Sequence, residues 1–495
     1  QLTTDNSPML DQLYSSPLSL LTDLYQLTMA YAYWKSGTAA KQAVFHLSFR
    51  SAPFEGGYAV ACGLEAAIQY VQRMRFETED LDYLAGLRGD DGQPLFERAF
   101  LDDLARLKWE IDIDAIPEGT VVFAHEPLVR VIGPILQCQL LETPLLNIIN
   151  FQTLIATKAA RVALAAEGQP VLEFGLRRAQ GIDGGIAASR AAFVGGCAAT
   201  SNLMAGKLFG IPVKGTHAHS WVMSFDDELE SFRAYGAAQP GNSIFLVDTY
   251  DSLEGVRRAV QVGQEMRRLG HEMAGIRLDS GDLAYLSIEA RKILDEGGFP
   301  KASIVASNDL DEHVITSLKL QGAKIDTWGV GTRLATAYDQ PALGGVYKLS
   351  AIRDNPQSPW TFKLKLSQTQ AKTSFPGVLQ VRRYLRDGEF AGDCIYNEAQ
   401  GIDDAPLMID PADVTRRKRF DPDMAWEDLL VPVFRNGRCV YTSPDLRQIQ
   451  RRTLDQLLHL HPGIKRLLNP HEYPVGLEER LHDLRQQLIL EARQL

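Results

Sequence analysis

The chain has 495 residues, 45% hydrophobic and 23% charged, with 62 acidic against 51 basic side chains and a formal net charge of −11. These proportions exclude a disordered, collagen-like or simple coiled-coil chain, and at roughly 150 residues per domain they imply about three domains, or one large α/β barrel with an appended domain. The acidic balance argues against a general nucleic-acid binder, which needs a positive field, but leaves room for a small anionic substrate in a locally basic pocket.

Residues 1–16 are polar and read as a loose leader, with neither the charged start nor the apolar run of a signal peptide. From Leu20 the pattern turns helical: LLTDLYQLTMAYAYWKSG places apolar residues three and four apart and ends in Gly37. Residues 42–50, QAVFHLSFR, alternate as a strand does. Two or three amphipathic helices are expected over 64–110, then short strands over 118–145 between Gly and Pro.

From about 147 a strand-then-helix rhythm begins. Short β-rich runs stand at 170–174, 193–197, 211–215, 243–248, 274–278, 303–306 and 325–330, with helical patterns such as 252–269 and 282–296 between them. About seven such units predict a parallel sheet. A closed barrel is favoured over an open sheet, because no Gly-x-Gly-x-x-Gly opens the first unit. After 345 the rhythm stops: 346–440 holds short β runs and turns, and 443–495 is helical with a Pro-rich break at 462–474. The expected fold is α/β: an irregular barrel over 147–345, with a second α+β domain built from sections 1–146 and 346–495. The five cysteines, at 62, 138, 197, 394 and 439, form no Cys-x-x-Cys pair. A disulfide framework and a structural zinc are not expected, and a reducing cytoplasm fits. No apolar run of about 18 residues predicts a membrane span.

In barrels of this kind the chemistry sits where the strands end. Here those ends carry Glu173, Arg177 and Arg178; Thr216, His217, Ala218 and His219; Asp248; Arg277, Asp279 and Asp282; Ser307, Asn308 and Asp309; and Gly329, Gly331 and Thr332. Carboxylates, cations and Gly-rich turns on one face suit a Mg²⁺-assisted reaction on phosphate esters. Gly329–Thr332 reads as a phosphate cradle, since glycines admit close backbone approach, or as a plain tight turn. His217 and His219, two apart on an extended segment, point to opposite faces, so one of them is expected in the pocket as nucleophile, base or metal ligand. Both can equally be bystanders. Arg277 at a strand end suits a planar carboxylate or phosphate, and Asp279 and Asp282 either fix it or bind Mg²⁺; a local ion-pair network is the alternative. Arg416–Arg419 reads as a solvated face.

Several of these stretches resemble the nicotinate phosphoribosyltransferase family. They are LLTDLYQLTMAYAYWKSG (20–37), FGLRRAQGIDGG (174–185), KGTHAHSWVMSF (214–225), GIRLDSGDL (275–283), ASNDLDE (306–312), GVGTRL (329–334) and NPHEYPVGL (469–477). They occur in the family's order across nearly the whole chain. The resemblance implies a type II phosphoribosyltransferase fold, usually a homodimer with its active site at the subunit interface. It implies a cytoplasmic enzyme that joins nicotinate to 5-phosphoribosyl 1-diphosphate, giving nicotinate mononucleotide and diphosphate, with ATP hydrolysed as co-substrate and Mg²⁺ or Mn²⁺ as metal. This is the entry into NAD salvage. Neither a nucleic acid nor a membrane is an expected partner.

Carried over by position, His219 is the expected catalytic phosphohistidine. Tyr25 is the ring-stacking residue supplied by the partner subunit, Thr216 and Arg277 contact nicotinate, and Arg178 serves the substrate pocket. Thr332 contacts the phosphoribosyl phosphate in the Gly329–Gly331 loop, and Asp279 and Asn308 are polar pocket residues. The metal ligands stay unassigned. The alternatives are a nicotinamide or quinolinate phosphoribosyltransferase, a barrel lyase or aldolase with Lys214 as Schiff base, and a non-catalytic binding barrel.

Overall fold

The structure, a computed structural model, describes residues 17–366 and 373–494. The leader expected over 1–16 lies outside the described residues. Two compact units form: one from the chain up to Leu154 together with Ala342 onward, the other from Ile155–Pro341.

The first unit draws on both ends of the chain. Its strand Gln42–Phe49 pairs antiparallel with Gly345–Arg353 on one side and with Val129–Pro134 on the other. Val44, Ala351 and Val378 pack together in its core. A second, six-stranded sheet draws all its strands from the C-terminal part, from Leu379–Arg386 to Val475–Glu478. The helix expected from Leu20 spans Leu24–Lys35 and buries Gln26, Leu27 and Ala30. The region 64–110 holds three helices, Leu64–Arg73, Thr78–Gly86 and Arg98–Ala105. The strands expected over 118–145 stop at Pro134. Ile135–Leu140 and Glu142–Ala165 are helical, because Leu141, Leu145 and Ile149 recur every four residues and are buried.

The second unit is built on a parallel sheet of six strands: β1 (Val171–Glu173), β2 (Ala199–Thr200), β3 (Ile244–Leu246), β4 (Gly275–Leu278), β5 (Ser303–Ala306) and β6 (Thr327–Val330). Their spatial order is β2-β1-β6-β5-β4-β3. Helices such as Ser252–Arg268 and Leu283–Glu296 connect them. Near-continuous apolar strands are what a parallel sheet covered on both faces requires. Phe245, Ile276, Ile304, Trp328 and Val330 are accordingly buried, each stabilising the unit by about 1.5–3 kcal/mol.

Two expected strands are corrected. Phe193 and Val194 form the last turn of the helix Gly181–Val194, and the strand starts only after the Gly195–Gly196 turn, at Ala199. An apolar run this short fits the end of a buried helix as well as a strand. The run at 211–215 contributes a single bridge, Val213 to Thr200, since Pro212 has no N–H to extend a ladder. The expected seven strands are therefore six and a bridge. No backbone ladder joins the 213 edge to β3, so the sheet does not close. Side chains meet there instead: Leu246 N–H donates to His217 Nε2 at 3.2 Å, and Asn242 Nδ2 donates to the Gly215 carbonyl at 3.1 Å. No helix among the described residues is long and apolar enough to cross a membrane. The 24-residue helix Glu142–Ala165 carries Lys158 and Arg161 in its interior.

Candidate active site

Parallel strands deliver the residues that follow them to one edge of the sheet. Phe174 follows β1, Ser201 follows β2, Asp279 follows β4, Ser307 follows β5 and Gly331 follows β6, and all five line one cavity of about 380 Å³. Arg177, Arg178, Thr216, His217, Arg277, Asn308, Asp309, Gly329 and Thr332 line it as well.

Arg277 is the best-defined group in this cavity. Its Nη1 donates to Thr216 Oγ1 at 2.5 Å, while its Nε is buried with no acceptor. Burial lowers its basicity, and the nearby Asp279 and Asp248 partly offset that. A guanidinium held on one side and unsatisfied on the other is prepared to receive an oxyanion.

Asp279 is fixed by its surroundings. Its carboxylate accepts from the Ser307 hydroxyl, and its own N–H donates to Asp248 Oδ2 at 2.9 Å. Asn308, which follows Ser307, has φ of +103°, a strained value for a residue with a side chain. Gly329 lines the cavity and also makes room for a ring: a Cβ there would lie 2.8 Å from the Phe174 ring, so the glycine lets that ring sit against β6.

The two histidines part company. His217 lines the cavity, yet its Nε2 is taken by the Leu246 N–H and its ring packs edge-on at 4.6 Å from Tyr235. Burial pushes its pKa down to about 4, so it is neutral at pH 7. His219 opens the short helix His219–Met223 and is 38% exposed, with Nε2 placed 3.2 Å from Asp248 Oδ1. Asp248 is buried, and its other oxygen also accepts from Ser280 Oγ at 2.6 Å. A carboxylate can only accept, so Asp248 favours the tautomer with the proton on Nε2 and the lone pair on Nδ1. Among the described residues, no group of three or more His, Cys, Asp or Glu forms a preformed metal cage.

Other candidates fall away from the cavity. Glu173 is buried and structural: it accepts from the Gly175 N–H, from Ser189 Oγ at 2.8 Å and from Thr200 Oγ1 at 2.6 Å. Asp282 caps the helix Leu283–Glu296. Lys214 is exposed and does not line the cavity, which gives a Schiff base no desolvated lysine to start from. Tyr25 lies in the first unit, on the helix Leu24–Lys35, 46% exposed. The sequence had not assigned roles to Asp248 and Phe174. Each directly follows or ends a β-rich run, which is the signal that marks them.

Comparison with known proteins bears on this geometry. Residues 20–150 match the nicotinate phosphoribosyltransferase (NAPRTase) N-terminal domain, and residues 380–485 the C-terminal domain of the same family. The nicotinate phosphoribosyltransferase of Bacillus subtilis is 44% identical over 482 residues, covering 96% of both chains. The chain belongs to the nicotinate phosphoribosyltransferase family. The human relative is 34% identical over 94% of this chain and 95% of its own. The crystal structure of human nicotinic acid phosphoribosyltransferase superposes with a TM-score of 0.82 at 32% identity, covering 94% of this chain and 99% of that one. A nicotinate-nucleotide pyrophosphorylase from Pyrococcus furiosus, at 22% identity and a TM-score of 0.66, shares the fold.

Proposed function

We propose that this chain is an enzyme that joins nicotinate to 5-phosphoribosyl 1-diphosphate, releasing diphosphate and forming nicotinate mononucleotide for NAD salvage. The observation that carries the substrate is Arg277, clamped by Thr216 and left with a buried, unpartnered Nε. Nicotinate brings a carboxylate to that guanidinium. The neutral amide of nicotinamide would leave the cation without a counter-charge. Phe174 offers one aromatic face for the pyridine ring, and Tyr25 of a partner subunit offers the other in a homodimer.

The ring nitrogen attacks the ribose anomeric carbon as the bond to diphosphate breaks, through an oxocarbenium-like state. The chain's contribution is to hold the ring in line and to surround the leaving anion with Arg177 and Arg178. Gly331, Thr332 and Asn308 receive the phosphoribosyl phosphate. Mg²⁺ or Mn²⁺ fits Asp279 and Asp309, because Mg²⁺ binds through one or two carboxylates, waters and substrate phosphates. Held there, the ion would neutralise charge on the diphosphate.

ATP acts through His219. Its Nδ1 lone pair attacks the γ-phosphorus, the bond to ADP breaks, and water later cleaves the P–N bond to release phosphate. The Asp248 carboxylate stabilises the imidazolium at Nε2 meanwhile. The architecture we infer is an irregular barrel whose seam is closed by His217 and Asn242 side chains, with a second domain from both chain ends, in a cytoplasmic protein.

The test is a diphosphate-release assay with nicotinate, nicotinamide or quinolinate, with and without ATP. Nicotinate is expected to turn over at least tenfold faster than either analogue, and ATP to raise that rate. Equal use of nicotinamide refutes the role of Arg277, and no release with any acid refutes the function.

A further inference from the structure

The second unit carries an ion network that the chemistry above leaves unused. Lys158 and Glu312 have fully buried side chains and pair at 2.6 Å. Lys158 Nζ also meets Asp339 at 2.5 Å, and Arg161 Nε meets Glu312 at 2.8 Å. Arg333 Nη1 donates to Asp311 Oδ2 at 2.9 Å and lies 3.6 Å from Asp339. Three cations and three carboxylates thus balance one another.

The placement of this network in the chain is informative. Arg333 directly follows Thr332, and Asp311 stands two residues after Asp309, so the pair ties together two segments that line the cavity. Asp311 is itself fixed, its Oδ1 accepting from the N–H groups of His313 and Val314. Thr332 is held as well: its carbonyl accepts from Thr336 N–H at 3.1 Å and Thr336 Oγ1 at 2.6 Å. The Arg333 guanidinium lies 5.1 Å from the Tyr338 ring centre. The first segment contains strained backbone, Asn308 at φ +103°, and Ala337, at φ +45°, lies just beyond the second. Strain of this kind persists only where neighbouring contacts over-determine it.

We propose that Arg333, through its hydrogen bond to Asp311 and its contact with Asp339, is a positioning residue for the phosphoribosyl donor. It holds the 308–309 and 331–332 segments at a fixed spacing so that both meet the donor at once. The proposal rests on the reading that these segments receive the donor. It touches neither nicotinate nor the reacting carbon.

The test separates the two substrates. KM for 5-phosphoribosyl 1-diphosphate, KM for nicotinate and kcat are measured for Arg333→Gln, Asp311→Asn, their double variant, Arg333→Lys and Thr332→Ala. Thermal unfolding serves as the check on folding. Arg333→Gln and Asp311→Asn are each expected to raise the donor KM by about ten- to a hundredfold. The nicotinate KM should stay within about twofold. The double variant should be no worse than either single one, because the two residues act as a unit. Arg333→Lys keeps the charge but not the guanidinium's reach and shape, so its donor KM should fall in between, and it carries the test if the Gln variant does not fold. A folded Arg333 variant with an unchanged donor KM, beside a Thr332→Ala variant whose donor KM rises, overturns the positioning role and leaves the site reading standing. An unchanged donor KM in Thr332→Ala sinks the site reading itself.

Discussion

Replacing Arg277 by Gln tests the centre of the proposed site. The guanidinium has one nitrogen committed to Thr216 Oγ1 at 2.5 Å and a buried Nε with no acceptor. Nicotinate binding supplies that acceptor and forms a desolvated charge pair. Removing one partner of such a pair costs about 2–5 kcal/mol, or roughly 30- to 5000-fold in kcat/KM. Nicotinamide has no charge to lose, so its kcat/KM should drop by about tenfold at most, the worth of a neutral hydrogen bond. Diphosphate release with each acceptor gives both ratios. The same substitution has a second, opposite signature. Burial is the leading influence on Arg277 and works against its charge. Arg277→Gln should therefore raise the thermal unfolding temperature of the substrate-free protein while it lowers activity, as expected where stability is given up for function. An equal loss for nicotinate and nicotinamide, or a lower unfolding temperature, would refute the reasoning.

His219→Ala should abolish the effect of ATP, and Asp248→Asn should reduce acid-labile phosphate on the protein by at least tenfold in a γ-labelled ATP assay. If ATP still lowers the apparent KM of the donor in His219→Ala, the phosphohistidine coupling is wrong. His217, neutral with its pKa down at about 4 against an ordinary 6.5, contributes stability that is full above pH 6.5 and lost as the pH falls toward 4. The slope over that window is about 1.4 kcal/mol per pH unit. The buried His46 and the half-buried His125, lowered in the same direction, add to it, so the difference between wild type and His217→Gln isolates the one residue in thermal melts. Glu173→Gln leaves one oxygen to accept and turns an amide N–H₂ toward the donors of the other, which should cost about 1–3 kcal/mol, read as roughly 2–4 °C per kcal/mol for a unit of this size. Gly329→Ala should displace the Phe174 ring and raise the KM for nicotinate more than that for the donor, provided circular dichroism shows an intact fold.

Much of the second unit was legible because its signals are local. A parallel strand is an apolar run, and the residue after it faces the edge of the sheet wherever the chain goes next. Thr216, Arg277, Asp279, Asn308 and Thr332 could be picked out on that basis, and they line one cavity. What could not be read depends on partners far along the chain. Glu173 looks like a pocket acid until Ser189 and Thr200, 16 and 27 residues away, are seen to satisfy it. His217 and His219 differ by two positions, and only the distant Leu246 N–H and Asp248 carboxylate give them separate roles. Closure of the sheet is equally non-local. It turns on whether the 213 edge meets β3 through a ladder or through side chains, and here the His217 and Asn242 side chains make the contact.

The net charge of −11 looked at first like an argument against anionic ligands, and the structure explains why it is not one. Many cations of the second unit are spent on carboxylates. Arg161 and Lys158 hold Glu312, Arg333 holds Asp311, Arg258 holds Glu228, and Arg233 holds Glu265. Among the described residues Arg177 and Arg178 make no such pair, and Arg277 donates to a neutral hydroxyl. The cavity therefore keeps three arginines without a direct carboxylate partner inside a protein whose overall field repels anions. A large anion such as a nucleic acid feels the net field along its whole length, which the Debye length of about 8 Å at physiological salt allows over the outer surface. A nucleotide-sized anion inside the cavity is governed by the few charges it touches. A net acidic chain with cavity arginines that lack a carboxylate partner is arranged to favour small phosphates over polymeric ones, in keeping with the proposed reaction.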